Sequence, residues 1–509
     1  MADLVIQKVN CTWMKVICKE VYMELDLQDR FSFKIANAQH DPRVKKGMWD
    51  GVKKLYNRRT KKMHCGLLLE VLGMAETKGW SVQVDPDLMP DPESIDTEEL
   101  RELVSELIKP HDDGNPIEPY DYQLEAVEYM LNMDRSVVLA ATSAGKSLII
   151  YLAVRLYQMM DEFNGKKIFI TVPSISLVEQ LYSDFENYST FDGSMWHVNQ
   201  FCQKVSSKYP KNLQKQIIIT TWQSMEKLPY GVFEDIGAIF IDETHTAKAS
   251  TLSKLIEQAT TCPIRHGLTG TLDNVEVNEL VIQGLLGPAK RIVTANEIIE
   301  KGRASPVEVK MVMLNHSHAS KQELHSIKSK VKGKAKYEAE LNYINEMQSR
   351  RELIYQMVES LAGNNLVLFD RKEKYGQQLF EDYKTRNPDN SFLITGDVDS
   401  TEREQIRVQM EDHDDATIWA SYGTMSTGVS IKKLMNMMLI SSSKSVIRVL
   451  QSVGRMMRKH KDKDKATIYD IVDNLSYNGS SNYMMDHASE RIQFYKNEKF
   501  PIEFIEIDL

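Results

Sequence analysis

"SVVLAATSAGKSLII", residues 136–150, decides the fold. It is an apolar β-rich run, a short turn of small residues, and then a helical pattern that opens on Lys146 and Ser147. A strand that feeds a helix through such a turn is the setting of a phosphate-binding loop, where backbone N–H groups and the helix N-terminus hold phosphate. Thr142, Ser143, Ala144 and Gly145 would form the cradle, Lys146 would reach the β and γ phosphates, and Ser147 would ligate Mg2+. Two positions depart from the usual loop: Ala140 stands at its first glycine, and Ser143 where another glycine is common. Taken alone, the stretch also describes an ordinary strand-to-helix turn.

Working outward, further apolar runs follow in "KKIFITV", "KQIIITT", "GAIFID" and "RHGLTGT", each separated by a segment with helical spacing. A second series reads "NLVLFD", "NSFLITG", "ATIWAS", "NMMLISS" and "KATIYDIVD". Continuous Val/Ile-rich runs alternating with helices predict parallel strands covered on both faces, so the fold class is α/β with two tandem RecA-like parallel-sheet domains. In front of them stands a small α+β domain, and the Asp/Pro-rich segment 85–118, with an acidic amphipathic helix inside it, reads as a linker. The expected boundaries are 1–84, 85–118, 119–300 and 301–509.

Composition sets limits. Hydrophobic residues at 42% and charged residues at 27% are ordinary for a globular chain. No apolar run has the length of a membrane span, and the first residues lack a signal-peptide pattern, so a cytoplasmic protein with no membrane partner is expected. The five cysteines lack the close pairs of zinc or redox motifs. His316, His318 and His325 have no matching carboxylate or cysteine set and are read as non-metal residues. A net charge of −9 requires any nucleic-acid contact to come from local patches.

Two further motifs sharpen the loop. In "GAIFIDETHTAKA", Asp242 and Glu243 end an apolar strand, where a carboxylate pair can hold Mg2+ and orient an attacking water. In "VLQSVGRMMRKH", Arg455 and Arg458 fall near one helical face with Gln451 one turn earlier, suiting arginines that reach a γ-phosphate from a second domain. An acidic surface turn and a solvated basic helix are the plainer readings of each, and the three motifs together favour an ATP-driven motor.

The set resembles the superfamily 2 helicases, with Asp242-Glu243-Thr244-His245 standing at their DExH box. The resemblance implies an adenine-reading role for Gln123 in "PYDYQLEAV", and phosphate-site roles for Thr142 to Ser147 and Gln451. It also implies coupling roles for His245, for Thr269 and Thr271 in "LTGT", and for Gly428, and strand contacts by Thr220, Thr221 and Thr424. Where the family often has Gly-x-Asp-x-Pro, this chain has Gly428-Val429-Ser430-Ile431-Lys432. The cofactors implied are ATP and Mg2+.

"RVKKGMWDGVKKLYNRRTKK", residues 43–62, gathers Arg43, Lys45, Lys46, Lys53, Lys54, Arg58, Arg59, Lys61 and Lys62 around Trp49 and Tyr56. Clustered cations neutralise phosphates and aromatic rings offer stacking surfaces, so this patch is the candidate DNA-binding surface; a turn-rich hairpin with a solvated basic edge is the plainer reading. Together with the motor and the C-terminal "ATIYDIVDN" and "ERIQFYKNEKF", the segment resembles the recombination helicases of T-even bacteriophages. That likeness implies action on branched DNA in recombination, repair and replication: branch migration, fork regression and R-loop unwinding. Its implied partners are branched or duplex DNA, single-stranded DNA, RNA–DNA hybrids and accessory recombination or replication proteins, with the chain a monomer in the host cytoplasm. An RNA helicase, and a nucleic-acid-binding scaffold with a vestigial ATPase, stay open as alternatives.

Overall fold

The computed structural model describes residues 2–509 except 36–37, 90–94, 108–110, 113–114, 117, 142, 190–195, 245–248, 271, 273–275, 371–372, 397, 399, 426–430, 432, 442–452, 455 and 461. The chain forms two compact units, Met1–Val293 and Thr294–Leu509.

The first unit holds a seven-stranded sheet in the order Cys202–Val205, Ile217–Thr221, Lys167–Val172, Ile236–Asp242, Ile264–Thr269, Arg135–Ala140, Ala289–Val293. Every pairing is parallel. The central strands are buried along almost their whole length, as expected of strands covered on both faces. The second unit repeats the design with Ser391–Ile394, Thr417–Ser421, Asn364–Phe369, Leu434–Leu439, Ala466–Asn474, Val307–Asn315, Ile502–Asp508, again all parallel. Numbered by chain position within each sheet, both orders read 3-4-2-5-6-1-7. These are tandem RecA-like domains.

The repeat extends to side chains. In each sheet the fourth strand runs directly into a one-turn helix, Trp222–Met225 in the first and Tyr422–Met425 in the second. Each turn is pinned by a hydroxyl pair: Thr221 Oγ1 donates to Ser224 Oγ at 3.0 Å, and Ser421 Oγ lies 2.7 Å from Thr424 Oγ1.

In front of the first motor sheet stands a mixed four-stranded sheet ordered Lys62–His64, Trp13–Cys18, Leu4–Lys8, Val82–Val84. Trp13–Cys18 buries alternate residues, the period-two signature of a sheet with one covered face. Helices Val21–Arg30 and Leu68–Lys78 accompany this sheet, and its core runs without a break into that of the motor sheet. The acidic helix Thr97–Leu107 buries Leu100 and Val104, and Thr97 Oγ1 donates to Glu128 on the neighbouring helix Asp121–Leu131.

In the second unit, buried Asp473 accepts from Arg350 Nε at 2.9 Å and pairs with His316 Nε2 at 2.9 Å, while Arg491 forks onto buried Asp470 at 2.7 Å. His318 and His325 lie against the Tyr477 ring. Among the described residues no helix is long and apolar enough to cross a membrane.

Candidate nucleotide and nucleic-acid sites

Strand Arg135–Ala140 delivers the loop to helix Lys146–Met159. Gly145 caps that helix with φ +76°, a left-handed conformation that favours glycine. A Cβ there would also meet Gln123 Nε2 at 2.4 Å, so the Gln123 side chain would have to shift. Ser143 also holds positive φ, at 74°, which is uncommon for a residue with a side chain and concentrates at functional loops. Gln123, expected to read adenine, is buried beneath the loop: its Nε2 donates to the Ala144 carbonyl at 2.9 Å, and its Oε1 accepts from Tyr120 N at 2.9 Å.

Strand Ile236–Asp242 carries the acidic pair to the same place. Lys146 Nζ lies 3.5 Å from Glu243 Oε1, and both side chains are largely shielded from water. Glu243 has φ 49°, and its N–H donates to Asp242 Oδ1 at 2.9 Å. Burial pushes the Asp242 carboxyl up to about 7, the Glu243 charge adds to the rise, and Lys146 works against it. A carboxyl so desolvated favours a cation beside it. Asp242 and Ser147 both offer hard oxygen donors, a set that fits Mg2+. Ser147 Oγ lies 3.0 Å from Tyr188 OH, a neighbour that no motif marks.

Thr244, the third residue of the acidic box, is fully buried, and its Oγ1 donates to Ile241 O at 2.9 Å and Leu268 O at 3.2 Å. It therefore ties the box to the strand that ends at Thr269, itself fully buried. No motif marks this hydroxyl, because its use depends on Leu268, a strand neighbour brought close only by the fold.

The candidate strand-contacting hydroxyls are turned inward. Thr220 Oγ1 donates to Val205 O at 2.8 Å, and Thr221 and Thr424 hold the helical turns described above. Arg458 is half-buried, and its carbonyl accepts from Ser305 Oγ at 3.3 Å. Thr142, His245, Thr271, Gly428, Gln451 and Arg455 lie outside the described residues.

The basic segment 43–62 is less uniform than its sequence suggests. Tyr56 is a correction: it is fully buried, its hydroxyl donates to Val16 O at 3.0 Å, and its ring is core rather than a stacking surface. Trp49 is half-buried, with Nε1 donating to Val52 O at 2.9 Å and the Arg43 guanidinium 4.9 Å from its ring centre. Arg43 also forks onto Asp41, Lys54 pairs with Asp50, and Arg58 and Lys61 converge on Glu24. Lys45, Lys46 and Arg59 are exposed and Lys53 and Lys62 half-exposed, with no ion pair among the described residues.

Comparison with known proteins follows the same division. The family profile described as "Type III restriction enzyme, res subunit" matches residues 116–274, and that described as "DNA helicase UvsW, N-terminal" matches residues 3–85. The chain is 29% identical to the "ATP-dependent DNA helicase uvsW" of Enterobacteria phage T4, covering 98% of each. It is 22% identical to the "DNA 3'-5' translocase XPB2" of Sulfurisphaera tokodaii, over 70% of this chain and 82% of that one. The crystal structure of T4 UvsW matches with a TM-score of 0.52 at 27% identity, covering 99% of both chains. Two RecA-like sheets of one strand order, a loop lysine paired with the glutamate of an Asp-Glu-Thr-His box, and likeness to UvsW from end to end make the chain similar to the superfamily 2 helicases of the DExH-box type.

Proposed function

We propose that the chain is an ATP-driven DNA helicase and translocase that remodels branched DNA, through branch migration of Holliday junctions, fork regression and R-loop unwinding. The observation that carries the ATPase half is the approach of Lys146 to Glu243 at the mouth of the loop. The branched-DNA half rests on likeness to UvsW along the whole chain, front domain included.

In this reading the loop backbone from Ser143 to Lys146 holds the β and γ phosphates, and Lys146 leaves Glu243 for the γ-phosphate. Glu243, relieved of its lysine, orients the attacking water and accepts its proton. Gln123, which donates to the Ala144 carbonyl of the loop, would read the adenine there. Ser147 and Asp242 would hold Mg2+, which neutralises charge on the phosphate oxygens when bound. Arg458 and Arg455 would bring further positive charge to the γ-phosphate, and Gln451 would support them. His245, Thr269, Thr271 and Gly428 would pass the state of the nucleotide to the polymer-contacting turns at Thr220, Thr221 and Thr424.

The test is the ATP hydrolysis rate with no polymer, linear duplex DNA, single-stranded DNA, a four-way DNA junction and single-stranded RNA at matched nucleotide concentration. Strongest stimulation by the junction supports the proposal. Stimulation by RNA alone replaces it with an RNA helicase, and a chain that never hydrolyses ATP yet binds DNA becomes a scaffold.

A further inference from the structure

Arg458 stands where a helical segment ends. Val453, Gly454 and Met456 are helical, and Met457 N donates back to Val453 O at 3.1 Å. Carbonyls at the C-terminus of a helix have no donor within the helix and must be met from elsewhere. Here successive carbonyls are met from two distant points: Lys463 Nζ donates to Met456 O at 2.8 Å, Ser305 N to Met457 O at 2.7 Å, and Ser305 Oγ to Arg458 O at 3.3 Å. Ser305 and Lys463 are buried, as are Met456 and Met457, so these bonds are shielded from water. A backbone held at 456, 457 and 458 fixes the root of the Arg458 side chain.

The chain that brings Ser305 to this place is itself braced. The second unit begins with helix Ala295–Glu300, whose N-terminus is closed reciprocally: Glu297 N donates to Thr294 Oγ1 at 3.3 Å, and Thr294 N to Glu297 Oε2 at 2.7 Å. Gly302, with φ +64°, closes the other end, where Gly302 N donates to Ile299 O at 2.8 Å and Arg303 N to Ile298 O at 2.9 Å. Only Ala304, which is buried, separates that closed turn from Ser305. Lys463 is a lysine drawn out of water. Burial lowers its ammonium to about 8, with Glu411 working against the fall and Arg458 adding to it. A buried ammonium needs a hydrogen-bond acceptor, and the Met456 carbonyl supplies one.

We propose that Ser305 and Lys463 are positioning residues for Arg458, acting through the backbone of the turn that carries it; this rests on the reading above in which Arg458 brings charge to the γ-phosphate. The segment 294–305 is then a strut that sets where the arginine starts from. Charge at the γ-phosphate counts most in the transition state, so loosening the root of Arg458 slows the chemical step and spares nucleotide binding in the ground state.

The test is single-turnover ATP hydrolysis by the full chain on a four-way DNA junction, which follows slow rates, beside the affinity for a fluorescent ATP analogue. Ser305→Ala combined with Lys463→Met should slow hydrolysis roughly tenfold and leave the affinity near that of the parent. Ser305→Thr with Lys463→Arg keeps both donors and should restore most of the rate. Added to Arg458→Ala, the Ala/Met pair should slow hydrolysis no further, because the residue it positions is gone. A pair that leaves the parent's rate intact, or that slows Arg458→Ala by the same factor as the parent, overturns the proposal while the nucleotide site stands. Arg458→Ala hydrolysing at the parent's rate removes Arg458 from the chemistry, and this proposal with it. Should the double variant fail to fold, Ser305→Ala alone, which removes one hydroxyl, decides by the same comparisons.

Discussion

Lys146 Nζ stands 3.5 Å from Glu243 Oε1, joining two motifs that lie far apart in the chain. The lysine has two successive partners in the proposed cycle, the glutamate before ATP binds and the γ-phosphate afterwards. Lys146→Ala and Glu243→Gln should each lower kcat by at least about 10²–10³ while leaving DNA affinity near that of the parent. Steady-state ATPase assays beside fluorescence anisotropy on a labelled junction separate the two effects. Turnover that survives either change would remove these residues from the chemistry.

Gly145 is constrained twice, by φ +76° and by the approach of Gln123 Nε2. Gly145→Ala should cost about 1–3 kcal/mol of local strain and distort the loop, weakening nucleotide binding. Adding Gln123→Ala removes the clash but not the backbone strain. Measured against Gln123→Ala alone, the double variant should therefore still bind a fluorescent ATP analogue more weakly, but by less than Gly145→Ala weakens the parent. Full recovery would assign the whole effect to the clash, and an unaltered Gly145→Ala would show that the loop is not constrained as described.

Five strands of each sheet were legible because burial on two faces writes itself as continuous runs such as "KIFITV" and "NNLVLF", whereas the interior strand Val307–Asn315 was not, since Glu308 and Lys310 interrupt its apolar run. Edge strands carry less of that signal: Ala289–Val293 contains Lys290 and Arg291, and Ile502–Asp508 alternates apolar residues with acids. The loop, the acidic pair and Gln123 were legible as residues. What they touch was not, because Gln123 beneath Gly145 and Thr244 against Leu268 depend on the fold bringing distant segments together. Tyr56 shows the opposite limit: a ring among cations looks like a stacking surface until the sheet buries it.

The corrected basic surface makes a discriminating set of substitutions. Lys45, Lys46, Lys53 and Arg59 have no ion pair among the described residues, whereas Arg58 and Lys61 are committed to Glu24. Replacing the four by Gln should weaken DNA binding and reduce the slope of log K against log salt by roughly 0.9 for each lost duplex phosphate contact. Arg58→Gln with Lys61→Gln should change the slope less. Tyr56→Phe should cost about 1 kcal/mol of stability and leave the slope alone, because it removes only a buried hydrogen bond. Equal slopes for the parent and the fourfold variant would return the segment to a solvated edge.

His266 gives the first motor sheet an acid limit. It is fully buried on strand Ile264–Thr269, with Nδ1 2.8 Å from Ser136 Oγ and Nε2 2.9 Å from Tyr157 OH. Tyr157 OH donates to Met130 O at 2.9 Å, so its oxygen accepts from Nε2–H and the ring sits as the neutral Nε2 tautomer. Burial lowers the imidazole from 6.5 to about 3 in the folded chain. Above pH 6.5 both folded and unfolded states hold it neutral, and it adds no pH dependence. As pH falls from 6.5 towards 3, only the unfolded state takes the proton, and stability drops by about 1.4 kcal/mol per pH unit. The loss is roughly 2 kcal/mol by pH 5. His266→Gln should be less stable than the parent at pH 7.5, and the gap in Tm should narrow steadily towards pH 5. Parallel curves of Tm against pH would mean that this histidine does not carry the proton linkage.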